Sequence, residues 1–96
     1  QQRRFVVAAL SIKSSLVEPI VEKILASRTG PGITALAWKS GLSVDAAVQL
    51  QLHLGKIAPS AVLMPRGNNY AMTTEDMTWQ IEFYSTLVPE TRRTAR

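Results

Sequence analysis

The side chains able to do chemistry in this chain are few and far apart. His53 is the only histidine and there is no cysteine. A thiolate nucleophile, a disulfide and a Cys-ligated zinc site are therefore excluded. A histidine base needs a nucleophile and an orienting partner within hydrogen-bond reach. His53 instead stands at helical spacing from Asp45, Gln49 and Lys56, which makes it part of one polar helix face. Glu75 and Asp76 are adjacent, but they open an apolar periodic segment. Carboxylates there satisfy free backbone N–H groups and the positive end of a helix, and do not form an acid–base pair. Neither G-x-G-x-x-G nor G-x-x-x-x-G-K-[ST] occurs; "RTGPG" at 28–32 has glycines without the rest of a phosphate loop. The expectation is no enzyme, with no catalytic residue, no metal and no cofactor.

The other chemistry to weigh is nucleic-acid recognition. The net charge is +4 over 96 residues. Arg3, Arg4, Arg92, Arg93 and Arg96 at the two ends carry that surplus, while residues 5–91 hold six basic and seven acidic side chains and are close to −1. A duplex-binding domain carries its positive charge on the folded face that meets phosphate. Trp38 and Trp79 lie within apolar helical rows, which points to core anchors and not to a base-stacking platform.

These side chains must be positioned by helices. Hydrophobic content of 46% and a length of 96 residues suit one globular core. The expected division is a helical domain over 1–91 followed by a basic disordered tail over 92–96. The longest apolar run, Phe5–Leu10, is a third of the ~18–20 residues a membrane span requires, and no signal-peptide pattern follows Arg3 and Arg4. Segment 4–13, "RFVVAALSIK", is apolar on nearly every side and is read as a helix, although periodicity alone leaves a strand open. In the next helix Val17, Ile20, Val21, Ile24 and Leu25 form one stripe. Either Pro19 lies in its first turn or Ser15 caps it with Glu18. Gly30, Pro31 and Gly32 are expected to end it. A short helix over Ile33–Ser40 and a turn at Gly41 come next. A helix from Val44 to about Leu54 follows, with Ser43 as its N-cap and Gly55 as its stop. Val62–Met64 and Tyr70–Met72, flanking "PRGNN", read as a short β-hairpin, with an irregular loop as the alternative. The last helix is capped by Thr73 and ends at Val88-Pro89. It carries two apolar rows, Met77, Ile81, Tyr84 and Val88 beside Trp79, Phe83 and Leu87.

This order gives a mainly α fold of four to five helices with one short β-hairpin and a winged-helix-like (helix-turn-helix) core. Ala37 and Gly41 have the small-residue spacing that a close helix–turn–helix crossing uses. The expected core is Val17, Ile20, Ile24, Leu36, Trp38, Val48, Leu52, Met77, Ile81 and Tyr84. Helix 44–54 holds no Arg or Lys, and Asp45 stands in its first turn, where a recognition helix would meet phosphate. The helix is therefore expected to lie buried within the molecule or against another polypeptide. If the chain does read DNA, the contacts would be Lys39, Gln49, Gln51, His53 and Arg66.

The stretches "ALAWKSGLS", "AVQLQLHLGKIAPS" and "YAMTTEDMTWQIEFY" resemble the C-terminal part of a largely alphaproteobacterial family catalogued as a domain of unknown function. The likeness covers residues 15–88, and its most specific part is Trp79-Gln80-Ile81-Glu82-Phe83-Tyr84. Family members are longer and mostly helical. The resemblance thus implies a fragment of a larger bacterial protein that works as a cytoplasmic interaction module, and it carries over no site residue. The first residue, Gln1 and not Met, is also read as the mark of a fragment or a processed product. The expected function is a non-enzymatic protein-interaction or regulatory module, with a protein partner or self-association favoured, nucleic acid second and no membrane. The alternative is a winged-helix DNA-binding domain of a transcriptional regulator.

Overall fold

The computed structural model describes residues 2–93, with side chains for residues 3–91. The fold is mainly α. Helices α1 (Gln2–Ser14), α2 (Glu18–Ser27), α3 (Gly30–Lys39), α4 (Val44–Gln49), α5 (Thr74–Thr86) and α6 (Glu90–Arg93) follow in order. Helix α4 runs on directly as a wider π-helical segment, Leu50–Leu54, and a 3-10 turn covers Pro59–Ala61.

The central element is α3. Every residue from Gly32 to Ala37 is buried, and α3 packs against α1, α2, α4 and, most extensively, α5. The helix expected at the centre, 44–54, instead covers one side of α3. Ala47, Leu50 and Gln51 face inward, Val44, Val48, Leu52 and Leu54 are half-buried, and Asp45, Gln49 and His53 are outside. Val48 and Leu52 thus leave the expected core. Ile20, Ile24, Leu36, Met77, Ile81 and Tyr84 belong to it, while Val17 and Trp38 pack at its edge. Val7 and Leu10 from α1 join them, since α1 is the helix anticipated and not a strand.

Glycines at two chain reversals are set by packing, and the first reversal differs from expectation. Gly30-Pro31-Gly32 begins α3 and does not end α2. Pro31 fits the first turn, where its missing N–H costs nothing. The glycines are needed for close approach. A Cβ on Gly32 would lie 2.8 Å from Thr29 Oγ1 and 2.9 Å from the Tyr84 ring. The end of α2 falls at Arg28, left-handed at φ 56°, whose N–H donates to the Leu25 carbonyl. Helix 44–54 ends at Leu54 with Gly55 as its C-cap, as anticipated. Gly55 keeps a right-handed φ of −78° and the left-handed residue is Lys56, at φ 55°. The Gly55 N–H donates to the Leu50 carbonyl at 2.9 Å and the Ile57 N–H to the Gln51 carbonyl at 3.0 Å, closing the end. Glycine is required at 55 by packing, because a Cβ there would stand 2.3 Å from Ile33 Cδ1.

The expected β-hairpin reduces to a single bridge. Arg66 and Asn69 exchange both backbone hydrogen bonds at 2.9 Å around Gly67-Asn68, and the flanking segments form no strands among the described residues. Their hydrogen-bonding groups are used elsewhere. The Gln51 amide takes both backbone groups of Leu63. Tyr70 is drawn away by its hydroxyl, which donates to the Leu42 carbonyl at 2.5 Å. The tail expectation also changes, because Glu90–Arg93 forms a helical turn; the rest of that expected tail, 94–96, lies outside the described residues. Among the described residues no helix is long and apolar enough to cross a membrane.

Candidate interaction surface

Helix α5 has two apolar rows and only one of them can face α3. Thr73 starts the helix, its hydroxyl accepting from the Asp76 N–H at 3.0 Å, as its spacing predicted. From that start Met77, Ile81, Tyr84 and Val88 fall on the α3 side and are buried. Trp79, Phe83 and Leu87 consequently point outward; Trp79 is 58% exposed, so it is a surface residue and not the core anchor expected. The row is ordered. The Trp79 and Phe83 rings stack with centroids 5.3 Å apart and planes 5° from parallel. Phe83 then meets the edge of Tyr84 at 5.1 Å. Tyr84 is in turn fixed from below, its hydroxyl 3.1 Å from Thr29 Oγ1, which lies 3.1 Å from Ser27 Oγ. An aromatic surface held this way loses little side-chain freedom when a partner covers it. Glu75, Asp76 and Glu82 stand exposed around it. Its C-terminal end, Leu87, borders a cleft against Pro19, Lys23 and Ala26 of α2.

Helix α1 carries a second outward apolar face. Val7, Leu10 and Ser14 turn inward, so Phe5, Ala9 and Ile12 turn out. Ile12 is 80% and Phe5 76% exposed. Arg4 and Lys13 flank this stripe and are exposed too.

The five candidate DNA contacts do not form one set. Lys39, Gln49, His53 and Arg66 are exposed, whereas Gln51 is fully buried. Its Nε2 donates to the Leu63 carbonyl at 3.0 Å and its Oε1 accepts from the Leu63 N–H at 2.8 Å. It pairs with Leu63 as a neighbouring strand would, and it cannot reach a base. A usable signal was present in the spacing, since Gln51 follows Ala47 by four and precedes Leu54 by three, on the inward side. Gln49 and His53 occupy each other, with Nε2 of the ring 2.9 Å from the Gln49 Oε1. Arg66 sits in the bridged turn and Lys39 at the C-terminal end of α3, beside Trp38 and Glu82. Asp45 remains outward in the first turn of α4.

Burial pushes the Tyr70 phenol above the ordinary tyrosine value. It clasps the 62–72 segment to the α3–α4 turn through the Leu42 carbonyl. No family model, curated protein or solved structure matches this chain, so the reading of its surface rests on the geometry.

Proposed function

We propose that this chain is a non-enzymatic protein-interaction module, acting in the cytoplasm, in which a winged-helix-like scaffold presents the outward face of α5 to a protein partner. The observation that carries the reading is the ordered Trp79–Phe83–Leu87 row left in solvent. Full burial of a large apolar side chain is worth about 1.5–3 kcal/mol, so three in one row are a substantial drive for association. The winged-helix element of the reading is supported by the α3–turn–α4 pair, with Gly41 left-handed at φ 75°, and by the bridged turn that follows. The DNA-binding alternative is weakened by the burial of Gln51 and by the outward Asp45, which would face phosphate with like charge.

A photoreactive amino acid at Thr86, exposed on the aromatic face, tests the proposal. Expressed in bacterial cytoplasm and irradiated, it is expected to form polypeptide adducts. The same group at Asn68 in the bridged turn is expected to form none. Absence of any protein adduct at Thr86 would refute the reading.

A further inference from the structure

We propose that the partner covering α5 is a second copy of this chain, which presents the outward face of its α1. The proposal rests on the interaction reading above and names the occupant of that same face. Each helix leaves one apolar stripe uncovered, and the stripes match in length. Phe5 to Ile12 spans about 10 Å and Trp79 to Leu87 about 12 Å at the α-helical rise. Their flanking charges are opposite. Arg4 and Lys13 border the α1 stripe; Glu75, Asp76 and Glu82 border that of α5. None of these five has an ion-pair partner among the described residues; Arg3, beside Arg4, pairs instead with Glu22 of α2 at 3.3 Å.

Charge selects among the possible pairings. Two α5 faces brought together would crowd three carboxylates against three, and two α1 faces would crowd cations against cations. Only α1 against α5 joins complementary borders while burying both stripes. Exposed charge pairs add little affinity but fix partner choice and register, and the aromatic and aliphatic side chains supply the binding. The acidic border also argues against a polyanion as the occupant.

Sedimentation velocity on the whole chain, with three charge variants, tests this. The unaltered chain is expected to associate as its concentration rises. E75K/E82K and R4E/K13E are each expected to weaken association by about tenfold or more, several small pair terms acting together. All four residues are exposed, and circular dichroism of each variant checks that its helices remain. A chain carrying all four reversals should associate again, and so should an equimolar mixture of the two double variants, whose faces become complementary to each other. A chain that stays monomeric throughout, or reversals that act without either rescue, would overturn the proposal. The Thr86 adduct separates this failure from that of the interaction reading. An adduct with the mass of two copies supports self-pairing. An adduct to a different protein, with a monomeric chain, removes self-pairing and leaves the interaction module standing.

Discussion

Two glutamines, two residues apart, show how little the type of a side chain says about its work. Gln49 and Gln51 offer the same amide, yet one is exposed and the other is sealed against Leu63. Replacing Gln51 with Leu keeps much of the volume but strands the Leu63 N–H and carbonyl. Leaving a buried backbone group unpaired costs about 1–3 kcal/mol; Leu63 is half-buried, so its two groups fall in the lower part of that range and Gln51→Leu is expected to lower stability by roughly 2–4 kcal/mol. Urea unfolding with an unchanged slope measures it. Gln49→Leu, on the exposed face, should stay within about 0.5 kcal/mol. Glycines divide in the same way. Gly55 has an ordinary φ but no room, whereas Gly41 has room but a φ of 75°. Gly55→Ala is expected to be the more damaging, because its Cβ meets Ile33 at 2.3 Å and the Gln51 carbonyl at 3.0 Å. Gly41→Ala should lose about 1–2 kcal/mol to left-handed strain alone. Lys56→Gly should hold or raise stability, since Lys56 bears that strain already at φ 55°.

At the scale of elements, what the sequence makes legible is where side chains cap backbone. Ser43 and Thr73 start α4 and α5 as their spacing indicates, each hydroxyl accepting from the N–H three residues on. Helix ends marked by glycine are less legible, because glycine serves turns and close packing alike; Gly30, Gly32 and Gly55 serve packing. The hairpin fails for a non-local reason. Its ladder groups are claimed by Gln51 and its approach by Tyr70, twelve and twenty-eight residues from their partners. The candidate surface was half legible. Both α5 rows are apolar in sequence, and which one faces inward depends on where α3 lies. The 62–72 segment yields a pH prediction. The Tyr70 phenol is raised by burial, so the folded state holds its proton more tightly than the unfolded chain. Stability from this group is complete below the ordinary tyrosine range and falls as the pH climbs through it toward the raised folded value. Tyr70→Phe removes that term and also loses the hydrogen bond to Leu42, worth about 0.5–1.5 kcal/mol at neutral pH. The gap between the two proteins should therefore narrow above the tyrosine range, as alkaline unfolding curves recorded in parallel would show; a gap that widens would contradict the clasp.

For the whole molecule the question is which apolar surface belongs to folding and which to association, and α5 lets the two be measured on one helix. Met77 and Trp79 are two residues apart, the first 2% exposed and the second 58%. Met77→Ala opens a cavity beside α3 and should cost about 2–5 kcal/mol at any protein concentration. Trp79→Ser removes a larger but mostly exposed side chain and should cost the dilute monomer only about 0.5–1.5 kcal/mol, chiefly the stack on Phe83. Association adds a second dependence. A partner that binds only the folded form raises the melting temperature as concentration increases. The unaltered chain should therefore melt higher when concentrated, and Met77→Ala should keep that slope from a lower starting point. Trp79→Ser should instead melt at one temperature throughout. Scanning calorimetry across a hundredfold range of concentration separates the cases. A Trp79→Ser protein as damaged when dilute as Met77→Ala would place the tryptophan in the core, and with it would go the reading of α5 as a surface built to be covered.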